Sequence, residues 1–393
     1  MDTLPKTAIV IGAGLAGANI ANRLAARDWQ VDLCETSNAV ATGASGNPAG
    51  IVLPQLAKDD ALGARFSRLC YVYLLQRLTE FPRCEWHPCG VLQIARDEAH
   101  ESLQSAVVEE LQLPASFVEF LPRQRAEKLA GQTLTHGAWW FSQGGYMAPA
   151  SLCAALLAQP VQKIRCHFSN TVSRLSYDGK IWSAYADDDR FVATATHVVL
   201  ANAQAANKLL AEPLPLKVIR GQISFLPATS VPETKVVLCR NGYLTPAQND
   251  RVTFGASFVN DDSDLEIRSD EHLANLQHLQ EILPEFKVQT TAIDLRNMSG
   301  CVALRAVTPD RLPLVGRVPK AETKSPRHLS LQNLPGLPNL FALLGLSARG
   351  IVWAPLCAEH LACIMNEEQS PLTQVMADAI DAGRFYLREL RQR

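Results

Sequence analysis

The sequence predicts an α/β fold, α+β overall, in which a Rossmann-like dinucleotide-binding domain is interleaved with a smaller mixed-sheet substrate domain. A βαβ unit opens the chain, its first turn carries a spaced glycine triplet, and 393 residues are too many for one ordinary domain.

Thr7 to Ile11 is a short β-rich apolar run, Leu15 to Arg27 has small and apolar residues at helical spacing, and Gln30 to Cys34 is a second short strand. Gly12-Ala13-Gly14-Leu15-Ala16-Gly17 lies between the first strand and the helix, and Glu35-Thr36 follows the second strand. Gly12 allows the tight turn, Gly14 lets the backbone approach a pyrophosphate, and Gly17 allows close helix–strand packing. The helix N-terminus offers unpaired N–H groups to phosphates, and Glu35 can accept hydrogen bonds from a ribose hydroxyl. This pattern alone does not choose between NAD and FAD.

Ala61 to Leu78 reads as an amphipathic helix that stops before Phe81-Pro82. From about 85 to 145, a strand at Val91 to Ala95, a helix at Glu98 to Leu111 and aromatic loop material around Trp139-Trp140-Phe141 read as a different module. A helix over Ala150 to Ala158 and the strand Val198 to Leu200, backed by Ala201-Asn202-Ala203, return the chain to the first domain. Strands at Ile219 to Phe225, Val236 to Leu238 and Val252 to Phe258, with a helix near Glu271 to Ile282, complete the second module. The chain is expected to return at about Arg305 and to finish with a helix beginning near Gly350. The expected division is therefore 1–82, 149–212 and 305–393 for the nucleotide domain, and 83–148 and 213–304 for the substrate domain.

Composition narrows the function classes. Lys and Arg number 37 against 39 Asp and Glu, a net charge of −2, so any polyanion site must be a local basic patch. Ten cysteines occur without a CxxC pair, and Cys34, Cys153 and Cys357 lie in apolar runs, which suits buried reduced thiols. Scattered histidines without HExxH give no metal site, and the absence of GxSxG gives no acyl-transfer machinery. Met1-Asp-Thr-Leu-Pro-Lys6 runs straight into the first strand, and no window reaches ~18 uninterrupted apolar residues. The expectation is a cytoplasmic protein with no membrane contact.

Thr42-Gly43-Ala44-Ser45-Gly46-Asn47-Pro48-Ala49-Gly50 is a small polar loop after the second strand. The closing section carries Arg305, Asp310-Arg-Leu-Pro313-Leu-Val-Gly316 and Leu344-Gly345-Leu346-Ser347-Ala348-Arg349-Gly350-Ile351. Together these resemble the D-amino-acid oxidase family, which includes glycine and sarcosine oxidases. The resemblance implies FAD and a fold of the D-amino-acid oxidase / glutathione reductase type. Cys89-Gly-Val-Leu-Gln93, Gln143-Gly-Gly-Tyr146, Arg220-Gly-Gln222, Gly242-Tyr-Leu-Thr-Pro246 and Gly255-Ala-Ser257 add, by order and spacing, a nearer resemblance. It is to the oxidoreductase domain of bifunctional tRNA wobble-uridine modification enzymes, and it covers essentially the whole chain. Pro48-Ala49, Pro309 and Ala348-Arg349 depart from that pattern.

The resemblance implies oxidative removal of the carboxymethyl group from 5-carboxymethylaminomethyl-(2-thio)uridine, leaving 5-aminomethyl-(2-thio)uridine and glyoxylate. An oxidase of free glycine, sarcosine or a related amino acid is the second reading, and a non-catalytic flavin-binding partner protein the third. The FAD contacts are expected from Gly12, Gly14, Leu15, Ala16, Gly17, Glu35, Thr36, Ala44, Ser45, Gly46, Asn47, Val172, Ala201, Asn202, Ala203, Ser347, Arg349, Gly350 and Ile351. No general base is assigned, because moving a hydride to a flavin requires chiefly orientation and electronic tuning.

A guanidinium can hold the substrate carboxylate through two parallel charge-assisted hydrogen bonds, and Arg305 occupies the matching position. Tyr243 matches a pocket-lining tyrosine, and Arg349 would place positive charge beside the reduced flavin. tRNA phosphates are expected at Arg384, Arg388, Arg391 and Arg393, which interleave with aromatics on a terminal helix. Because the βαβ unit begins near residue 7, any methyltransferase partner is expected to be a separate protein.

Overall fold

The computed structural model describes residues 5–159, 162–286, 294–320 and 329–392. Its central sheet has six strands in the order Leu314–Pro319, Gly336–Leu344, His197–Leu200, Thr7–Ile11, Gln30–Cys34 and Ile164–His167. Neighbours are parallel except the Leu314–Pro319 and Gly336–Leu344 pair, which is antiparallel. A parallel sheet must be covered on both faces, and the first strand shows how. Ala8 and Val10 face a cluster built from helices Leu15–Ala25, Pro149–Leu157 and Gly350–Met365, while Ile9 and Ile11 face the opposite side. There the three-stranded meander Val172–Tyr177, Trp182–Ala186 and Phe191–Ala195 contributes Trp182, Ala184 and Ala193. Among the described residues, no helix is long and apolar enough to cross a membrane.

The second large sheet is mixed. Its order is Val259–Asn260, Lys217–Pro227, Arg251–Gly255, Tyr243–Leu244, Val237–Cys239, Val91–Ile94, Ala138–Phe141 and Glu119–Leu121, with Gly300–Val307 also paired to Lys217–Pro227. Two readings are corrected here. Trp139-Trp140-Phe141, expected as loop, is an interior strand, since alternating aromatic side chains suit a pleated, half-buried surface. The strand expected over Val252 to Phe258 ends at Gly255, whose φ of +143° turns the chain before the short strand at Val259.

Arg305 lies inside Gly300–Val307, paired across from Ile219, so the chain leaves this sheet only after Val307. Along Lys217–Pro227 the side-chain period of two puts Arg220, Gln222 and Ser224 on one face and Ile219, Gly221 and Ile223 on the other. The first face meets helix Ser269–Ile282: Arg220 pairs with Glu271 at 2.7 Å, Ser224 with His272 at 2.7 Å, and Asn275 donates to the Gln222 carbonyl at 3.0 Å. The second face carries Arg305 and packs toward the loops at Ala44–Gly46 and Ser347–Arg349.

Candidate active site

The dinucleotide cradle is built mostly from backbone. Gly12 sits at φ +103°, and a side chain there would come within 2.7 Å of the Ala201 carbonyl oxygen and 3.0 Å of the Asn202 Cα. A side chain at Gly17 would collide with the Gly12 carbonyl, so this position fixes how closely the helix lies on the turn. The Leu15 N–H donates to Ser45 Oγ at 3.0 Å, joining the first helical turn to the Ala44–Gly46 loop. Glu35 accepts from the Ala13 N–H at 2.7 Å and the Ser37 N–H at 2.9 Å, one bond on each carboxylate oxygen, which leaves lone pairs free on both.

The last long helix closes the cradle. A side chain at Gly350 would lie 3.2 Å from Leu15 Cδ1, so the N-termini of helices Leu15–Ala25 and Gly350–Met365 converge. Two positive helix ends facing one space favour an anion between them. Gly50 is held bare by Ile351, whose side chain occupies the room a Cβ would need. Asn170 donates from its N–H to the Glu35 carbonyl at 2.9 Å, which brings the segment leading into Val172 beside the end of the second strand. Asn202 Oδ1 is buried without a hydrogen-bond partner at the edge of the glycine turn. Converging helix ends, a carboxylate with spare acceptors and a bare backbone turn together fit an adenine dinucleotide.

On the facing sheet the side chains are charged and unsatisfied. Arg305 is half-buried, and desolvation pushes its guanidinium below the ordinary range, with Tyr243 and Glu271 opposing that shift. It lies over the Phe258 ring at 4.4 Å and makes one long contact, 3.4 Å, to the Ser257 carbonyl. Among the described residues no carboxylate is paired with it. The Tyr243 hydroxyl is also buried without a hydrogen bond of good geometry. Burial pushes that phenol up to about 12, while Asn47 and Arg305 alongside pull it back.

Arg349 is a second half-buried cation without a carboxylate among the described residues, 5.8 Å from the Trp353 ring. Burial, and then the charge of Arg311, push it down to about 10. Unpaired guanidiniums in low dielectric are costly, and an arriving carboxylate or another anion relieves the cost.

The remaining sequence-predicted residues divide clearly. Ala44, Gly46, Ala203 and Ser347 lie on the short turns that frame this space, Ala16 and Ile351 lie in the first turns of helices Leu15–Ala25 and Gly350–Met365, and Thr36 is exposed beyond Glu35. The terminal helix Arg384–Gln392 is different from what its sequence suggests. Arg384 is only 3% exposed and forks onto Asp310 with bonds of 2.9 and 2.8 Å, so it is a structural brace and is not open to phosphate. Arg388 sits 3.7 Å from Asp310 and Arg391 donates to the Leu329 carbonyl, both exposed, and Arg393 lies outside the described residues.

Gly221 was not singled out as a site residue by the sequence, yet a side chain there would collide with the Arg305 guanidinium. The signal was present as a glycine in a strand otherwise rich in packing residues, which marks the close approach of another group.

The FAD dependent oxidoreductase (DAO) family model matches residues 7–364. The chain belongs to this family. FAD is therefore its cofactor and flavin-dependent oxidation its chemistry. Similar curated proteins include the tRNA 5-methylaminomethyl-2-thiouridine biosynthesis bifunctional protein MnmC of Aromatoleum aromaticum, 40% identical over 391 residues, which cover 98% of this chain and 61% of that protein. The MnmC protein of Azoarcus sp. (strain BH72) is 40% identical over 393 residues, with the same shares covered. The chain thus spans about three fifths of the length of these relatives, 61%. Among solved structures, glycine oxidase from Geobacillus kaustophilus superposes with a TM-score of 0.75 at 19% identity, covering 97% of this chain and 99% of that one. L-proline dehydrogenase from P. horikoshii gives 0.76 at 17%, covering 98% of each. At such identities these two structures establish the shared fold.

Proposed function

We propose that this flavoprotein oxidises the C–N bond of 5-carboxymethylaminomethyl-(2-thio)uridine at the tRNA wobble position, releasing the carboxymethyl group as glyoxylate. The observation that carries the reading is a half-buried guanidinium, Arg305, held over the bare backbone of Gly221, without a carboxylate partner among the described residues and facing the nucleotide cradle. The names of the 40% identical relatives support the choice of a tRNA substrate.

Bound FAD supplies a two-electron, hydride-accepting centre. Arg305 would hold the glycine-like carboxylate bidentately, and the Tyr243 hydroxyl, free of any good internal bond, would donate to the same carboxylate or accept from the amine. Arg349 keeps the region positive. The substrate loses a hydride from its α-carbon and a proton from its nitrogen. Water then adds to the resulting C=N bond, giving the 5-aminomethyl group and glyoxylate. We also assign residues 1–82 and 149–212, with the chain after the strand Gly300–Val307, to an FAD-binding domain. Residues 83–148 and 213–307 then form the substrate domain, which puts Arg305 with the sheet that carries it.

The test is anaerobic mixing of the yellow protein with tRNA bearing the carboxymethylaminomethyl group, following flavin absorbance and the nucleoside by mass spectrometry. Bleaching with loss of the carboxymethyl group is expected. An unchanged nucleoside alongside rapid bleaching by free glycine or sarcosine would overturn the reading in favour of an amino-acid oxidase.

A further inference from the structure

Phe258 lies three residues beyond the strand Arg251–Gly255, is 60% exposed, and among the described residues joins none of the apolar clusters of the interior. Packing therefore does not explain where this ring stands, but the backbone on either side of it does. Before it, the Ser257 N–H donates to the Gln222 carbonyl at 3.0 Å, the Gln222 N–H donates to Ser257 Oγ at 2.8 Å, and that hydroxyl donates to buried Glu271. Glu271 is in turn held by fully buried Arg220. After it, Val259 and Asn260 pair with Arg220 and Ile219, and the Asp261 N–H donates to the Val218 carbonyl at 3.0 Å. The ring is thus carried into solvent by a pinned stretch of sheet edge.

The same ring belongs to the active site. The Arg305 guanidinium lies over it, 4.4 Å from the ring centroid, and touches the Ser257 carbonyl and the bare Gly221 backbone. A fork of N–H groups for an anion and an aromatic ring open to solvent therefore form one continuous surface. The proposed substrate has the same two parts. Its carboxylate is separated from C5 of the uracil by four bonds, about 5 Å when extended, so a base whose side arm is held by Arg305 comes within reach of Phe258. Free glycine or sarcosine carries no ring that could cover this one.

We propose that Phe258 determines specificity for the base, stacking on the pyrimidine ring whose side arm Arg305 holds. This rests on the tRNA reading above and specifies how its substrate is told from a free amino acid. Unpaired bases are commonly held on aromatic side chains, and a ring on pinned backbone loses little freedom in doing so.

The experiment compares two ligands by titration calorimetry on the flavin-loaded protein. One is 5-(carboxymethoxymethyl)uridine, in which an ether oxygen replaces the oxidisable nitrogen, and the other is methoxyacetate, the same arm without the base. The nucleoside is expected to bind wild type roughly tenfold more tightly than the acid, and Phe258→Leu to bring that ratio close to one. Phe258→Tyr keeps a flat ring and should keep the ratio. Wild-type protein that binds the nucleoside no more tightly than the acid would overturn the platform. So would a ratio that survives in Phe258→Leu while both affinities fall together, since Phe258 then serves only to position Arg305. Failure of modified tRNA to bleach the flavin while the nucleoside still binds through Phe258 would instead sink the proposed reaction and leave the platform standing.

Discussion

In the nucleotide cradle the protein meets most of its own polar needs before any ligand arrives: Glu35 is engaged by the Ala13 and Ser37 amides, and Ser45 by the Leu15 amide. Across the site, half-buried Arg305 and Arg349 and the buried Tyr243 hydroxyl have their capacity unspent. The contrast teaches where recognition is stored. The cofactor side holds it in backbone shape, which stays stable with or without a ligand. The substrate side holds it as unpaired charge, which lowers stability until an anion binds. Two arginines bring the contrast onto adjacent strands. Arg220 is fully buried, paired with Glu271 and bonded to the Asp264 and Glu266 carbonyls, whereas Arg305 on the opposite face has none of these.

The largest expected effect breaks the cradle. Gly17→Val drives a branched side chain into the Gly12 carbonyl, backbone against which no rotamer helps. The variant is expected to purify without yellow colour and with a lower Tm, and a flavin content equal to wild type would refute the role given to this packing.

Next comes the pair of arginines. Arg220→Met takes from buried Glu271 its closest cation, leaving Ser257 and the more distant Arg268, and should cost about 3–5 kcal/mol of stability, measured by urea unfolding of the flavin-loaded protein. Arg305→Met removes an unpaired, half-buried cation, so its stability should equal or exceed that of wild type, while kcat/KM for flavin reduction falls by a factor on the order of 10² to 10⁴. Should Arg305→Met destabilise as Arg220→Met does, Arg305 is a structural residue and the division between the two faces collapses. Tyr243→Phe is a milder version of the same test: roughly tenfold lower kcat/KM with no loss of stability.

How much of this could be read from the chain follows the same division. The strands Thr7–Ile11 and Gln30–Cys34, the start of the helix at Gly350 and the glycine turn were legible because periodicity and φ requirements are local properties. The pairing state of each arginine was not, because it depends on partners far away in sequence: Glu271 for Arg220, 51 residues on, and Asp310 for Arg384, 74 residues back. For that reason the terminal basic run read as a phosphate contact when its first arginine is a buried brace. The return to the first domain was expected at about Arg305, and that residue instead lies inside the strand Gly300–Val307, whose partner strand Lys217–Pro227 is far away in sequence.

The smallest effect probes the helix-packed body in another coordinate. His360, on helix Gly350–Met365, is 4% exposed, and its Nδ1 lies 2.8 Å from Ser370 Oγ. Burial pushes the imidazole down to about 4, so the native state leaves it neutral where the unfolded chain, near pKa ~6.5, takes up a proton. The unfolded state then binds more protons between these values, and stability is lost as pH falls from ~6.5 toward 4, by up to ~1.4 kcal/mol per pH unit. His197, also pushed to about 4 by burial, adds to this slope, and Asp381, raised to about 6 by burial, opposes it in the lower part of the window. His360→Gln can keep a hydrogen bond to Ser370 without titrating. Unfolding midpoints compared between about pH 7 and pH 5 should therefore converge for the two proteins as wild type loses stability and the variant loses less. Parallel curves would mean that His360 takes up its proton in the native state over the same pH range as in the unfolded chain, so that the body behind the cradle admits charge as the substrate face does.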